Sequence, residues 1–533
     1  MNERSVLQAA ASLPLANPVQ AMREVEQLLD GLLATTLRSG ERSAALAHLD
    51  GPIEALCSGA VEALAAERHP LQPAAAERAA LAQQLEWKLA WNDALALHEL
   101  CAPVGGLSRY RRRAAAAVCA DGLAHASRVL LWAYRQYRTP PPGAWRLVHT
   151  LYAVAAGFGI ADEPGGPASG ASCASARNAY AEALLLGMGN PYRFSAGELD
   201  ETCLIIGCVA GLCVLADSNA AGVRVDTEVD DGPRCVASER VVGAVDTLVL
   251  SVQPVLRALD ALIAQAGQTG AVIHLTHPDG GIVATSAAFL RRLTAGWIAV
   301  ARSCARLPAS HTLELAVGMP AVHYALAGDV DFATFMARAH AETGDAAPHV
   351  LDAWPAAAEA PPKLRAEVRN QGEGGYRLRV QASGTARLRI GEVVAVAPTG
   401  DEPYERDWMV GVIRWLRLDG EHAWLGIELL HRVTRAAGLH LLTDAGGATV
   451  PQRAVELPGH AGSKKLALLV PRGFPVGATM AEVLLPSLAF DWTTRATTDV
   501  WRFEGAEPLG PACVRVTLGP DDQAEAAKRE GGA

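Results

Sequence analysis

The sequence predicts a multidomain α + β protein: a mainly α-helical N-terminal region over residues 1–345, then a small antiparallel β-barrel and a second small β-rich domain. Three observations predict it. The chain has 533 residues, half of them apolar and a fifth charged, which suffices for several buried cores and excludes wholesale disorder. Apolar residues recur at helical spacing through the first part and give way to alternating, β-branched runs later. Between the two, residues 345–363 (DAAPHVLDAWPAAAEAPPK) carry four prolines and little periodicity, as a linker over 346–363 would.

Leu28, Leu29, Leu32, Leu33 and Leu37 follow a helical period, and Ala-rich amphipathic stretches continue through 55–67, 75–100 and 113–134. Breaks fall at 70–73, at Thr139-Pro140-Pro141-Pro142-Gly143 and in the Gly/Ser-rich loop 162–175, so the region subdivides near 140–175. Further helices are expected at 177–187, 197–216, 248–266, 285–305 and 330–341. Short β-like runs at 271–276 and 313–317 make this middle part mixed. Strand-like runs follow at 376–380, 386–390, 393–397, 408–416 and 423–429, which predicts a barrel over 364–435. Runs at 465–470, 480–485 and 513–518 predict the second β-rich domain over 440–520, and the polar tail 521–533 is expected to be disordered.

With 47 Lys+Arg against 57 Asp+Glu, the net charge of −10 argues against non-specific nucleic-acid binding. The N-terminus does not read as a secretory signal, and the strongly apolar run near 204–215 is too short to span a bilayer. The ten cysteines show no Cys-x-x-Cys pairing and suit a reducing cytoplasm, the expected location. No Gly-x-Ser-x-Gly elbow, phosphate loop of the Gly-x4-Gly-Lys type or His-Glu-x-x-His stands in the chain. His274, His277 and Asp279 read as a surface turn, and Arg109-Tyr110-Arg111-Arg112-Arg113 as the solvated end of a helix. The reading is therefore non-enzymatic, with no catalytic residue, metal or cofactor.

One motif carries chemistry. In Asn370-Gln371-Gly372-Glu373-Gly374-Gly375-Tyr376, three glycines in four residues permit unusual backbone angles and close approach of a ligand. Asn370-x-Gly372-x-x-Gly375, followed by YRLRV, ARLRIGEVVAVAP, WMVGVIRWLRLDG and AWLGIELL, resembles the PilZ domain, the bacterial receptor module for cyclic di-GMP, over about 75 residues. The resemblance implies an antiparallel β-barrel, cyclic di-GMP as ligand, and binding through Arg365, Arg369, Asn370, Gly372 and Gly375.

Two positions depart from the family pattern. Gly372 stands where the motif has serine, and Arg365-x-x-x-Arg369 abuts Asn370, whereas the family's Arg-x-x-x-Arg arm precedes the loop by a whole strand. Residues 361–435 carry a net +2 on an otherwise acidic chain, and Arg414 and Arg417 beside Trp415 are a second place where a base could stack. Arg377 and Arg379 alternate with apolar residues, as on a solvated strand face.

The expected function is a cyclic di-GMP receptor or effector that signals by ligand-dependent domain rearrangement, with a protein partner for the helical region. The alternative is an interaction or scaffold protein whose altered barrel no longer binds nucleotide. Arginines placed ahead of the first strand favour the receptor; arginines inside a strand favour the alternative.

Overall fold

The computed structural model describes residues 2–64, 67–102, 107–165, 175–216, 222–233, 247–269, 271–298, 306–343, 360–382, 388–399, 407–442, 449–458, 465–473, 480–485, 497–510 and 512–520. The chain forms two units, Met1–Glu67 with Leu71–Ser303, and Arg68–Pro70 with Cys304–Ala533.

The first unit is built on helices α1 (Glu3–Ala11), α2 (Pro18–Leu33), α3 (Glu41–Ala47), α4 (Asp50–Leu64), α5 (Pro73–Cys101), α6 (Arg109–Arg135), α7 (Ala144–Gly157), α8 (Ala176–Met188) and α9 (Ala196–Val209). Helix α6 starts where the Ser108 side chain accepts from Arg111 N–H, and α9 where Ser195 and Glu198 form a reciprocal capping box. Alanine-rich faces let α5 and α6 pack closely. By length and composition α6 could cross a membrane, but 72 % of its apolar window is buried in this unit, as in the core helix of a bundle. Arg42, almost wholly buried, ties α2, α3 and α5 together: it donates to the Leu32 and Thr35 carbonyls, to Asn92 and to Glu99.

A three-stranded antiparallel sheet, in the order β1 (Val214–Ala216), β3 (Thr247–Ser251), β2 (Val223–Asp226), follows α9. Helix α10 (Gln253–Thr269), hairpin β4 (Ile273–Thr276)–β5 (Ile282–Thr285) and helix α11 (Ala287–Trp297) complete the unit. The helix expected over 248–266 thus begins as strand β3. Its Leu248, Val249 and Leu250 continue the apolar run of the helix, so periodicity alone cannot separate the two elements. His277 is buried in the β4–β5 turn, 2.8 Å from Asp279.

The second unit begins with β6 (Leu307–Pro308), β7 (Thr312–Val317), α12 (Met319–Leu326) and α13 (Phe332–Thr343). Next come β8 (Leu364–Gly372), β9 (Gly375–Gln381), β10 (Val393–Pro398), β11 (Met409–Asp419) and β12 (His422–His431). Strands β8, β7, β10, β11, β12 and β9 run antiparallel in that order and close through β9–β8 pairing, with β6 added beside the end of β8. The barrel therefore starts ahead of residue 364, which corrects the 1–345 and 364–435 boundaries. Strand β7 belongs to it, although both inserted helices separate β7 from its partner β8. Of the expected linker, 346–359 lies outside the described residues, as do the tail 521–533 and most of loop 162–175.

Strand β10 is buried on both faces, which explains its unbroken apolar sequence. Val393, Ala395 and Ala397 pack with α12 and with Val455 and Leu469 of the next barrel. That barrel closes in the order β13 (Arg435–Leu442), β14 (Gln452–Leu457), β15 (Leu466–Pro471), β18 (Cys513–Pro520), β17 (Thr497–Pro508), β16 (Met480–Leu485). It begins at Arg435 and not at 440, directly after β12. His323 of α12 donates to the Ala437 carbonyl, and burial holds its imidazole neutral, its pKa lowered to about 3.

Candidate functional site

The Asn370–Tyr376 segment forms the β8–β9 hairpin, whose pairing closes the barrel. Gly375 has φ +151°, and a Cβ there would lie 1.9 Å from the Ile427 carbonyl oxygen, so the close approach of β9 to β12 requires glycine. Gly375 shapes the site through backbone geometry.

Arg365 and Arg369 lie inside β8 and not ahead of the first strand, the placement that favours the scaffold alternative. Both are exposed because β8 alternates outward and inward up to Val368. A bulge between Val368 and Asn370 then turns Arg369 and Asn370 out together, and Asn370 pairs with Arg377. Arg365 pairs in register with Glu314 of β7, four residues and about 13 Å along the strand from Arg369. The two arginines do not form one clamp.

A different set converges. Across the outer face, register aligns Trp415 of β11 with Gly426 of β12, Gly426 with Arg377 of β9, Arg377 with Asn370 of β8, and Asn370 with Pro308 of β6. In the adjoining row Arg417 pairs with Trp424. A Cβ on Gly426 would lie 1.8 Å from the Trp415 indole nitrogen, so the missing side chain lets that ring lie across β12. The Arg377 guanidinium sits 4.7 Å from the Trp424 ring centre and 5.9 Å from that of Trp415. Partial burial, and then the cations of Arg417, Arg306 and Arg369, lower the pKa of Arg377 below the usual arginine range.

Arg306 lies one residue before the Leu307–Gln371 pair, placing it opposite Gly372, the motif's serine position. Asn370 Oδ1 and Arg377 Nε are both buried without a hydrogen-bond partner. Glu367 is engaged nearby, 2.7 Å from Arg379 and 3.9 Å from Arg369.

Of the remaining candidates, Arg417 joins this face, whereas Arg414 is held by Glu428 at 2.6 Å and donates to the Leu509 carbonyl. Sequence reading missed Arg306 and Arg377. The signal for Arg306 is Arg302-x-x-x-Arg306 just ahead of the first strand, the spacing and place of the family's arm; Arg302 lies outside the described residues. Arg377 has no signal beyond its alternation, which a solvated face shares. Among the described residues no group of three or more His, Cys, Asp or Glu side chains could hold a metal.

A closed six-stranded barrel with a glycine hairpin and an outward arginine face fits a PilZ-type domain, and the family model that matches this part of the chain is that of a PilZ domain. The comparisons with known proteins then specify the type. The model described as the N-terminal domain of the cyclic-di-GMP receptor FimW matches residues 4–220, and that of the FimW middle PilZ domain matches 223–363 and 352–435. Both matched domains stand in this chain in that order. A curated relative, the "Cyclic-di-GMP receptor FimW" of Pseudomonas aeruginosa, is 24 % identical over 397 residues, covering 64 % of this chain and 63 % of the relative. The chain thus spans a little under two-thirds of that relative's length. The second segment of the middle-domain match ends at 435, where β13 begins.

Proposed function

We propose that this protein is a receptor for cyclic di-GMP that acts by binding and not by catalysis. The observation that carries the reading is the meeting of Arg306, Arg369, Arg377 and Arg417 beside the motif residue Asn370. The charges that lower the pKa of Arg377 are the cations Arg417, Arg306 and Arg369. Cations crowded on a partly desolvated face repel one another, and a ligand bearing two phosphates relieves that repulsion. Arginine forks also pair with phosphate oxygens and base edges, and the indoles supply a stacking floor. The likeness to the FimW domains and to the curated receptor supports the same ligand.

In this reading Arg306, with Arg302, is the phosphate-binding arm, and Arg369 and Asn370 line the binding face. Binding orders the hairpin and shifts the population of arrangements through which a protein partner of the helical region is engaged. We expect this in a reducing cytoplasm, where free thiols such as Cys57, Cys119 and Cys513 remain reduced.

The placement of Arg365 and Arg369 inside a strand, with no hydroxyl at Gly372, favours the second reading, a scaffold that has lost its ligand. Arg306 answers it by restoring a cation ahead of the first strand. A ligand-induced rise in melting temperature tests the choice. The full chain and Arg365→Ala should both gain several degrees with saturating cyclic di-GMP, and Arg306→Ala should lose most of that gain. An equal gain in Arg306→Ala would overturn the assigned arm. No gain in any protein would leave the scaffold reading.

A further inference from the structure

We propose that Arg377 is the base-reading residue of this face, selecting guanine over adenine in a bound cyclic dinucleotide. The inference rests on the receptor reading above. Asn370 and Arg377 are direct partners across the β8–β9 ladder, so their side chains leave the outer face together at a cross-strand spacing of about 5 Å.

The two orphaned atoms are complementary. Asn370 Oδ1 is an acceptor and Arg377 Nε–H a donor, both buried and both without a partner. Such an atom costs about 1–3 kcal/mol while unsatisfied, so an occupant that supplies both partners binds the more tightly. Guanine presents its O6 acceptor next to its N1–H donor, which matches an arginine donor beside a carbonyl acceptor. Adenine presents an amino donor at the place of O6 and a bare acceptor at N1, so both contacts are reversed. The asparagine amide can turn over and offer its NH2 group instead. The guanidinium can only donate. Arg377 therefore sets the preference, and Asn370 follows it.

Pre-organisation strengthens the assignment. Trp424 and Trp415 flank the guanidinium, and Trp415 is itself seated over Gly426. A guanidinium held close to two indole rings loses little freedom when it pairs with a planar edge. It also offers the site a donor in the absence of the motif serine.

Calorimetric titration of the full chain with cyclic di-GMP and with cyclic di-AMP tests this, using Arg377→Gln, Arg377→Lys and Arg306→Ala. The unaltered protein should prefer cyclic di-GMP by roughly 10–100-fold, the discrimination one two-pronged base contact supplies. Both Arg377 variants should lose most of that ratio through weaker cyclic di-GMP binding. The lysine variant shows that shape matters and not charge alone. Arg306→Ala should weaken both ligands and keep the ratio. An unchanged ratio in correctly folded Arg377 variants, with cyclic di-GMP still bound by the unaltered protein, overturns this inference and leaves the receptor reading standing. If the unaltered protein binds neither nucleotide, the receptor reading fails and takes the inference with it.

Discussion

Asn370 and Arg377 face each other across the β8–β9 ladder, the one with a carbonyl oxygen and the other with a guanidinium N–H that no protein group satisfies. Here a bulge turns Asn370 outward, Gly375 brings β9 against β12, and two indoles flank Arg377.

Gly426→Val should disable the site although Gly426 itself makes no proposed ligand contact. Its Cβ would displace the Trp415 ring, which would no longer flank Arg377. Melting should report a loss of about 1–3 kcal/mol, as overpacking costs. Calorimetry should show cyclic di-GMP binding weakened by more than that stability loss explains. Normal affinity in a folded Gly426→Val protein would show that the indole seat is irrelevant.

Affinity should also fall with salt. The arginine face attracts a dianion through fields that ions screen, with a Debye length of about 10 Å at 0.1 M and about 3 Å at 1 M. The dissociation constant should rise steadily as sodium chloride is raised, less steeply in Arg417→Ala, which removes one of the cations acting on Arg377. A salt-independent constant would contradict an electrostatic site.

Arg42→Met should destabilise the helical unit by about 3–5 kcal/mol, because it strands the Glu99 carboxylate and unties α2, α3 and α5 at once. The double change Arg42→Met with Glu99→Leu should recover part of the loss, as removing both charges avoids a buried unpaired ion. Chemical denaturation measures both.

The pH dependence of the same unit has a defined sign. Burial, and then the nearby Asp50 carboxylate, push Asp121 up to about 7 against the opposing pull of Arg128. A carboxyl raised in the folded state costs stability when ionised. That cost is absent below the unfolded value near 4 and grows as pH rises toward 7. Asp121→Asn should therefore melt above the unaltered protein at pH 8, and the gap should close by pH 4. A gap independent of pH would assign the effect to packing instead.

Helices were the most legible elements. Period and composition predict 75–100 and 113–134, and the structure shows α5 (Pro73–Cys101) and α6 (Arg109–Arg135), bounded by Pro73 and by the Ser108 cap. Local pattern sets such elements, so local reading finds them. The run at 313–317 is equally plain as a strand, yet nothing local reveals that it pairs with β8 across two inserted helices. The candidate site suffers the same limit. Asn370 and Gly375 carry a motif, but Arg377 is distinguished from Arg379 only by register. Arg379 meets Glu367, while Arg377 meets Asn370 and the indoles. Arg365-x-x-x-Arg369 drew attention by spacing alone, whereas Arg302-x-x-x-Arg306 has both the spacing and the place.

The measurement that bears most directly on the central claim is calorimetric titration of the full chain with cyclic di-GMP, repeated on Asn370→Ala with Arg306→Ala. The account expects saturable binding at micromolar concentration or tighter in the unaltered protein, abolished in the double variant while its melting temperature without ligand stays the same. No heat with the unaltered protein, or undiminished binding in the double variant, would contradict it.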